Sequence, residues 1–317
     1  MKPLLLNPPI KDYIWGGTKL RDEFGKESEL EKLAESWELS CHKDGMSVIM
    51  DGQYAGKTLN EFLAENPEAL GENCKKFEYF PVLIKLIDAR DNLSVQVHPD
   101  NDYAQRVEGE YGKTEMWYIV DCEIGAELIY GFKSEITKEE FRKAIEDNTL
   151  LDKVNRVKVK KGDVFFIKSG TLHAIGKGIL IAEIQQNSNT TYRVYDYGRV
   201  GADGKPRELH IDKAVEVTNL TPAPEYSLPE PVSDVNKTTQ RLAECEYFTV
   251  TEETIKIKSA HYTDERTFNH ILVISGFATL DFNGGSFVLK KGTSVFIPAN
   301  SGAYTIKGNC SIIITEI

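Results

Sequence analysis

Short stretches of β-branched and aromatic residues, each bounded by Gly, Asp, Asn or Lys, recur along the first two thirds of the chain. Residues 47–50, 81–87, 93–98, 115–120, 127–131, 156–159, 164–167, 179–185 and 191–195 fit this pattern. It predicts the strands of a sandwich or barrel, because branched and flat side chains suit a pleated, half-buried surface. Helices are predicted to be few. Thr58-Leu59-Asn60-Glu61 and Thr137-Lys138-Glu139-Glu140 carry the spacing of a capping box ahead of apolar residues, and a third helix is expected over residues 29–35. Within 93–98, alternation sends Ser94, Gln96 and His98 to one face and Leu93, Val95 and Val97 to the other. One face is then available to pack and the other for chemistry.

Residues 221–233 contain Pro222, Pro224, Pro229 and Pro231, which predicts an extended, semi-rigid crossing. The expected organisation is a domain over 1–220 with helical additions, a proline-rich linker over 221–240 and a second domain over 241–317. From residue 245 onward nearly everything reads as strand, with Gly276, Asn283-Gly284-Gly285 and Lys307-Gly308-Asn309 as turn signals. The two halves also repeat. Lys161-Gly162-Asp163-Val164-Phe165-Phe166-Ile167 matches Lys291-Gly292-Thr293-Ser294-Val295-Phe296-Ile297 in residue class. The same offset sets His173 against Ala303, so the second copy is expected to keep the fold and lose whatever His173 binds.

At 317 residues and a net charge of -11, the chain is long enough for more than one core and too acidic for a general nucleic-acid binder. Its five cysteines are scattered without a C-x-x-C pair, which suggests neither a disulfide framework nor a cysteine zinc knuckle and fits a reducing cytoplasm. No apolar run approaches bilayer length, and residues 1–7 are too short for a signal peptide, so no membrane partner is expected.

The candidate chemistry lies in the strands. Gln96 and His98, Glu115 at the head of an apolar run, and His173 after the 161–167 segment offer an amide oxygen, two imidazoles and a carboxylate. That donor set suits Zn²⁺ or another divalent first-row metal. Plain structural readings stand beside it. His173 also fits a packed histidine on a hairpin, and Gln96 a satisfied strand amide. Lys85, a lone cation inside Pro81-Val82-Leu83-Ile84-Lys85-Leu86-Ile87, would be costly to bury without an anion, unless it snorkels from a strand edge. Arg193 has Asp196 nearby in sequence as a possible ion-pair partner.

The spacing Gly162, Lys168, Gly170, His173 resembles the second cupin motif, with lysine where that motif usually has proline. Gly292 and Pro298 sit at the matching places of the second copy. Gln96-x-His98 followed by Glu115 resembles the first cupin motif with an amide in place of one imidazole. Further segments sharpen this likeness: Tyr13-Ile14-Trp15-Gly16-Gly17, Ala34-Glu35-Ser36-Trp37, Leu93-Ser94-Val95-Gln96-Val97-His98-Pro99, Lys113-Thr114-Glu115-Met116-Trp117, Gly170-Thr171-Leu172-His173-Ala174 and Asn187-Ser188-Asn189-Thr190-Thr191-Tyr192-Arg193. Together they resemble the type I mannose-6-phosphate isomerases in their short bacterial form. The resemblance implies a mainly β fold of two cupin-type (jelly-roll) barrels with a small helical portion in the N-terminal half, the second barrel metal-free. It implies one Zn²⁺ per chain on Gln96, His98, Glu115 and His173, and a sugar phosphate as substrate. Arg193 matches the family's catalytic arginine and Glu183 a carboxylate near the substrate, while Ser94, Lys85 and Lys113 match residues around the substrate phosphate.

Departures from the family pattern bear on specificity. Ile175 stands where longer relatives carry tyrosine, residues 194–199 replace their glycine-containing sequence, and there is no room for their larger helical insertion between Glu115 and His173. Three competing functions follow. One is a non-catalytic carbohydrate-binding or regulatory double cupin, another an isomerase for a different sugar phosphate, and the third a redox or decarboxylating cupin with iron or manganese. Glutamine as a ligand and the surrounding lysines disfavour the last, since zinc suits Lewis-acid rather than oxygen chemistry.

Overall fold

The computed structural model describes residues 1–201 and 204–317. Two antiparallel sheets build most of the first 200 residues. A six-stranded sheet runs in the order Val164–Ile167, Glu115–Cys122, Ile179–Gln186, Val82–Ala89, Glu35–Leu39 and Ile10–Lys11. A five-stranded sheet runs Val154–Lys158, Glu127–Phe132, His173–Ala174, Val95–Val97 and Tyr192–Tyr195. They face one another across a core containing Ile87, Trp117, Ile119 and Ile181 on one side and Leu128 and Tyr130 on the other.

The opposite face of the six-stranded sheet is covered as well. Ile84, Leu86, Met116, Tyr118, Leu180 and Ile184 share a cluster with Leu242, Phe248, Val250, Leu272, Phe296 and Ile313 of the C-terminal sheet. With both faces dry, Val82–Ala89 and Ile179–Gln186 are buried along their whole length. This explains why their sequences read as nearly continuous apolar runs instead of alternating ones. Phe296, fully buried beside the rings of Phe62 and Phe268, stabilises this junction by up to about 3 kcal/mol through its own burial.

The C-terminal sheet has ten strands and includes two from the first fifty residues: Leu4–Asn7 pairs with both Ser294–Ile297 and Val48–Ile49. Its two longest strands, Asn269–Phe282 and Gly302–Glu316, pair along most of their length. The first bends where its partner changes from Ser294–Ile297 to Gly285–Lys290. Gly276 sits at that bend with φ 79°, and a Cβ there would lie 2.2 Å from the Asn309 carbonyl oxygen, so only glycine fits. The bend lets one sheet gather its own core of Ile255, Ile271, Val273, Leu280, Ile297, Ile306 and Ile312. Among the described residues no sheet closes on itself through hydrogen bonds.

The sequence repeat has a structural counterpart. Gly162 and Gly292 take φ 88° and 86° in equivalent turns, and Asn300 takes the left-handed conformation (φ 60°) that Gly170 takes at 84°. Ile167 pairs with Glu115 in one unit, and Ile297 pairs with Asn269 in the other. An amide therefore stands in the second unit where the first has a carboxylate.

Both capping boxes form, opening the helices Leu59–Glu65 and Lys138–Glu146. The helix expected over 29–35 does not form, and the only helix in that part of the chain is the single turn Lys19–Asp22. Glu35 instead begins the strand Glu35–Leu39, where its carboxylate accepts from Trp37 Nε1 at 2.7 Å and faces Lys85 Nζ at 3.7 Å. A helix would withdraw that carboxylate from the buried cation. Two helices lacked a strong sequence signal. Asn101–Val107 is capped by Asp100, which accepts from the Tyr103 amide at 2.9 Å, but buries only Ala104. Ile211–Val217 has no side-chain cap. The residues 221–231 form neither helix nor strand. All five cysteines are free thiols. Among the described residues no helix is long and apolar enough to cross a membrane.

Candidate active site

A cavity of about 290 Å³ opens between the two sheets, and Lys85, Ser94, Gln96, Lys113, Glu183 and Arg193 are among its lining residues. His98 follows Val95–Val97, His173 opens its own strand opposite Gln96, and Glu115 comes across from the facing sheet. The Nε2 atoms of His98 and His173 lie 3.1 Å apart, and Glu115 Oε1 is 3.3 Å from His173 Nε2. Each Nδ1 is 2.8 Å from a backbone carbonyl, Thr190 for His98 and Thr171 for His173. A carbonyl only accepts, so Nδ1 carries the proton and Nε2 presents a lone pair. Burial, reinforced by the Lys113 ammonium, depresses both imidazoles, His173 to about 3 and His98 well below its ordinary value. Both are neutral at pH 7 and ready to ligate.

The two Nε2 lone pairs thus face one another, with Lys113 Nζ 3.1 Å from that of His98, and Glu115 Oε1 is buried without a hydrogen-bond partner. Burial, opposed by Lys113, raises the Glu115 carboxyl to about 8. Both penalties vanish if a divalent cation sits among His98, Glu115 and His173, whose donor atoms lie within 4.8 Å of one another. The backbone partners at Nδ1 fix the ring orientations such a metal needs. Gln96 lines the same cavity beside this group, its Oε1 receiving a 3.4 Å hydrogen bond from Ser94 Oγ.

Next to the metal group lies a buried chain of charges. Lys113 Nζ is 2.5 Å from Glu115 Oε2 and 3.9 Å from Glu183 Oε1, and Lys85 Nζ is 3.1 Å from Glu183 Oε2. The ladder explains this meeting, since Glu183 pairs with Lys85 on one side and with Trp117 on the other. Trp117 Nε1 donates to Glu183 Oε1 at 3.0 Å. Lys85 therefore does not snorkel; it is 4% exposed and held by carboxylates. Burial alone would raise the Glu183 carboxyl, but Lys113 and Lys85 outweigh it and hold Glu183 at about 2. A carboxylate in a partly dry pocket is ordinarily tuned upward; this site does the reverse, because two ammonium groups face one carboxylate.

Arg193 reaches the cavity from the strand Tyr192–Tyr195, paired with Gln96. It is not the partner of Asp196. That carboxylate is taken by Arg199 (2.6 Å) and by Arg207, at 2.7 and 2.5 Å. Arg193 Nη1 donates to the Glu208 carbonyl at 3.0 Å, and its buried Nε has no partner. Six of the nine residues named from the sequence line the cavity: Gln96, Ser94, Lys85, Lys113, Glu183 and Arg193. The other three, His98, Glu115 and His173, adjoin that lining through Lys113 Nζ, which reaches His98 and Glu115, and through the pairing of His173 with Gln96. Sequence reasoning gave no role to Glu35 or Arg207. Glu35 lay inside a quoted motif and had Lys85 as an unsatisfied counterpart. Arg207 lies in a loop without periodicity and offered no signal. Ile175, flagged as a departure, does line the cavity.

A mainly β fold that buries two neutral imidazoles and a carboxylate, a group able to hold a metal, beside a lysine-containing cavity between its sheets has the features of a cupin-type protein. The comparisons agree: residues 4–127 match the phosphomannose isomerase type I catalytic domain and residues 238–317 the mannose-6-phosphate isomerase cupin domain. The chain is 43% identical over 315 residues to the probable mannose-6-phosphate isomerase GmuF of Bacillus subtilis (strain 168), covering 99% of each. It is 41% identical over 319 residues to mannose-6-phosphate isomerase ManA of the same organism, covering 100% of this chain and 99% of that one. The solved mannose 6-phosphate isomerase from Bacillus subtilis superimposes with a TM-score of 0.93 at 39% identity over the whole of both chains. The chain belongs to the type I mannose-6-phosphate isomerase family.

Proposed function

We propose that this pocket interconverts mannose 6-phosphate and fructose 6-phosphate through a cis-enediol(ate), with one zinc ion per chain held by Gln96, His98, Glu115 and His173. The observation that carries the reading is the convergence of two Nε2 lone pairs and an unpartnered carboxylate oxygen beside a buried carboxylate flanked by lysines. Two neutral nitrogens with oxygen donors suit zinc, which when bound supplies Lewis acidity toward the substrate's C1 and C2 oxygens.

The chain's own residues do the rest. Glu183 is the first candidate for the base: it takes the proton from C2 of the aldose and returns it to C1, while one proton passes from O2 to O1. A carboxylate held ionised by Lys85 and Lys113 starts in the accepting state. Substrate phosphate drawing on those same lysines would weaken their hold and raise its basicity toward the working range. Lys85, Lys113 and Ser94 are assigned to the phosphate, converting remote binding into placement of the reacting carbons. Arg193, with an unsatisfied buried Nε, meets the charge that develops on the enediolate oxygens.

Residues 1–220 carry the catalytic unit in this reading, 221–240 the linker, whose last residues already enter the strand Lys237–Glu244, and 241–317 a metal-free unit completed by Leu4–Asn7 and Val48–Ile49, the two units rolled as cupin barrels. Support for the second unit's lack of metal is the replacement of Glu115 by Asn269 at the equivalent ladder position and of His173 by Ala303 at the repeat offset. Mannose 6-phosphate deuterated at C2 tests the proton-transfer chemistry. Partial loss of label to solvent and a primary isotope effect are expected. Complete retention of label at C1 with no exchange would contradict an enediol route.

A further inference from the structure

The lysines assigned to the phosphate are already compensated. Lys85 lies between Glu35 and Glu183, and Lys113 between Glu115 and Glu183. Among the described residues, the excess positive charge of the cavity is on another wall, where Arg193, Arg199 and Arg207 surround one buried carboxylate, Asp196. Among the described residues of this loop Glu208 is the other carboxylate, and its side chain is 83% exposed and turned toward His210. Arg193 and Arg207 both line the cavity. Their guanidinium groups repel: after burial, Arg207 is the strongest influence lowering the affinity of Arg193 for its proton.

Asp196 clasps Arg207 through Nε and Nη2 together, the fork geometry that fixes a guanidinium plane. Arg199 braces the same carboxylate and anchors it to the Asn92 carbonyl at 2.5 Å. This is a preorganised mount holding a cation at the cavity against the repulsion of its neighbour. Such an arrangement costs stability in the empty site and is relieved by an anion.

We propose that Arg207, oriented by Asp196, is a substrate-binding residue that contacts the phosphate of the sugar phosphate, in addition to Lys85, Lys113 and Ser94. The assignment rests on the isomerase reading. A dianion beside Arg207 offsets its repulsion with Arg193 and takes charge-assisted hydrogen bonds from a planar donor.

The test is Arg207→Gln and Arg207→Lys in zinc-loaded enzyme, with steady-state kinetics, inhibition by inorganic phosphate, calorimetric phosphate binding and a melting curve. In Arg207→Gln, kcat/KM is expected to fall on the order of 10- to 100-fold, the loss of a charged hydrogen bond, with KM carrying most of it. The inhibition constant for inorganic phosphate is expected to rise in parallel, and Arg207→Lys to recover part of both. Folded Arg207→Gln with KM and phosphate inhibition within twofold of wild type would overturn the proposal. So would a loss of turnover with phosphate binding unchanged. Should the wild-type protein lack isomerase turnover yet bind phosphate in an Arg207-dependent way, the isomerase reading fails while the anion site stands.

Discussion

Replacing Glu183 with Gln separates the electrostatic role of this carboxylate from its proposed chemical one. The side chain is 3% exposed, with Lys85 Nζ at 3.1 Å, Lys113 Nζ at 3.9 Å and Trp117 Nε1 at 3.0 Å. Its carboxyl is lowered from 4.5 to about 2, which corresponds to roughly 3 kcal/mol favouring the folded, ionised form at neutral pH. A depressed carboxylate contributes that stability above its unfolded pKa and loses it as pH falls from about 4.5 toward 2. Glu183→Gln is therefore expected to destabilise the protein by roughly 3 kcal/mol at pH 7, and the deficit should shrink below pH 4.5. Turnover is expected to fall by about 10²- to 10⁴-fold, as for loss of a positioned base, while zinc content by elemental analysis stays at the wild-type level. Denaturant unfolding at pH 7 and pH 4 and steady-state kinetics read out both effects. Turnover within twofold of wild type in zinc-loaded protein would remove Glu183 from the proton transfer. An unchanged stability would refute the ion-pair argument.

Three other outcomes follow. His173→Ala removes one of two converging Nε2 donors, so protein dialysed against metal-free buffer should lose its zinc; full retention by elemental analysis would contradict the ligand set. His98 and His173 are held neutral below their ordinary pKa, so their contribution to folding is complete above about pH 6.5 and fades as pH falls toward 3. In the folded protein both imidazoles stay neutral at pH 5.5, so the Glu115 carboxyl, raised to about 8, is the group that competes with the metal for a proton; zinc affinity should fall as pH drops below 8, and a zinc titration showing equal affinity at pH 7.5 and pH 5.5 would refute this. Gly276→Val places a Cβ 2.2 Å from the Asn309 carbonyl at φ 79°, and is expected to cost about 2 kcal/mol or more; a melting temperature equal to wild type would refute the bend.

Much of this was legible in the residues because the first unit's strands announce themselves by composition, and residues 93–98 also by the polar side chains at every second position. Val164–Ile167 begins and ends where the sequence placed it. Ser94 and Gln96 line the cavity and His98 joins the metal-ligating group, while Val95 and Val97 pack into a separate core; Leu93, expected on their face, instead lines the cavity. What the sequence hid depends on contacts distant along the chain. Residues 29–35 look helical in isolation, but Glu35 is claimed by Lys85 fifty residues on. Likewise the pairing of Leu4–Asn7 with Ser294–Ile297 joins opposite ends of the chain and leaves no local trace. The downward shift of Glu183 was hidden for a related reason: nothing local in the sequence shows that the ladder sets one ammonium beside it and draws in a second. Arg193 and Asp196 are close in sequence, yet Arg199 and Arg207 take that carboxylate.

The most direct test of the account is conversion of mannose 6-phosphate to fructose 6-phosphate by the purified protein, measured as isolated, after chelation and after zinc is restored, with Arg193→Ala alongside. The account predicts turnover that disappears on chelation, returns with zinc and collapses in the variant. Well-folded, zinc-loaded protein without turnover, or turnover indifferent to both chelation and Arg193, would contradict it.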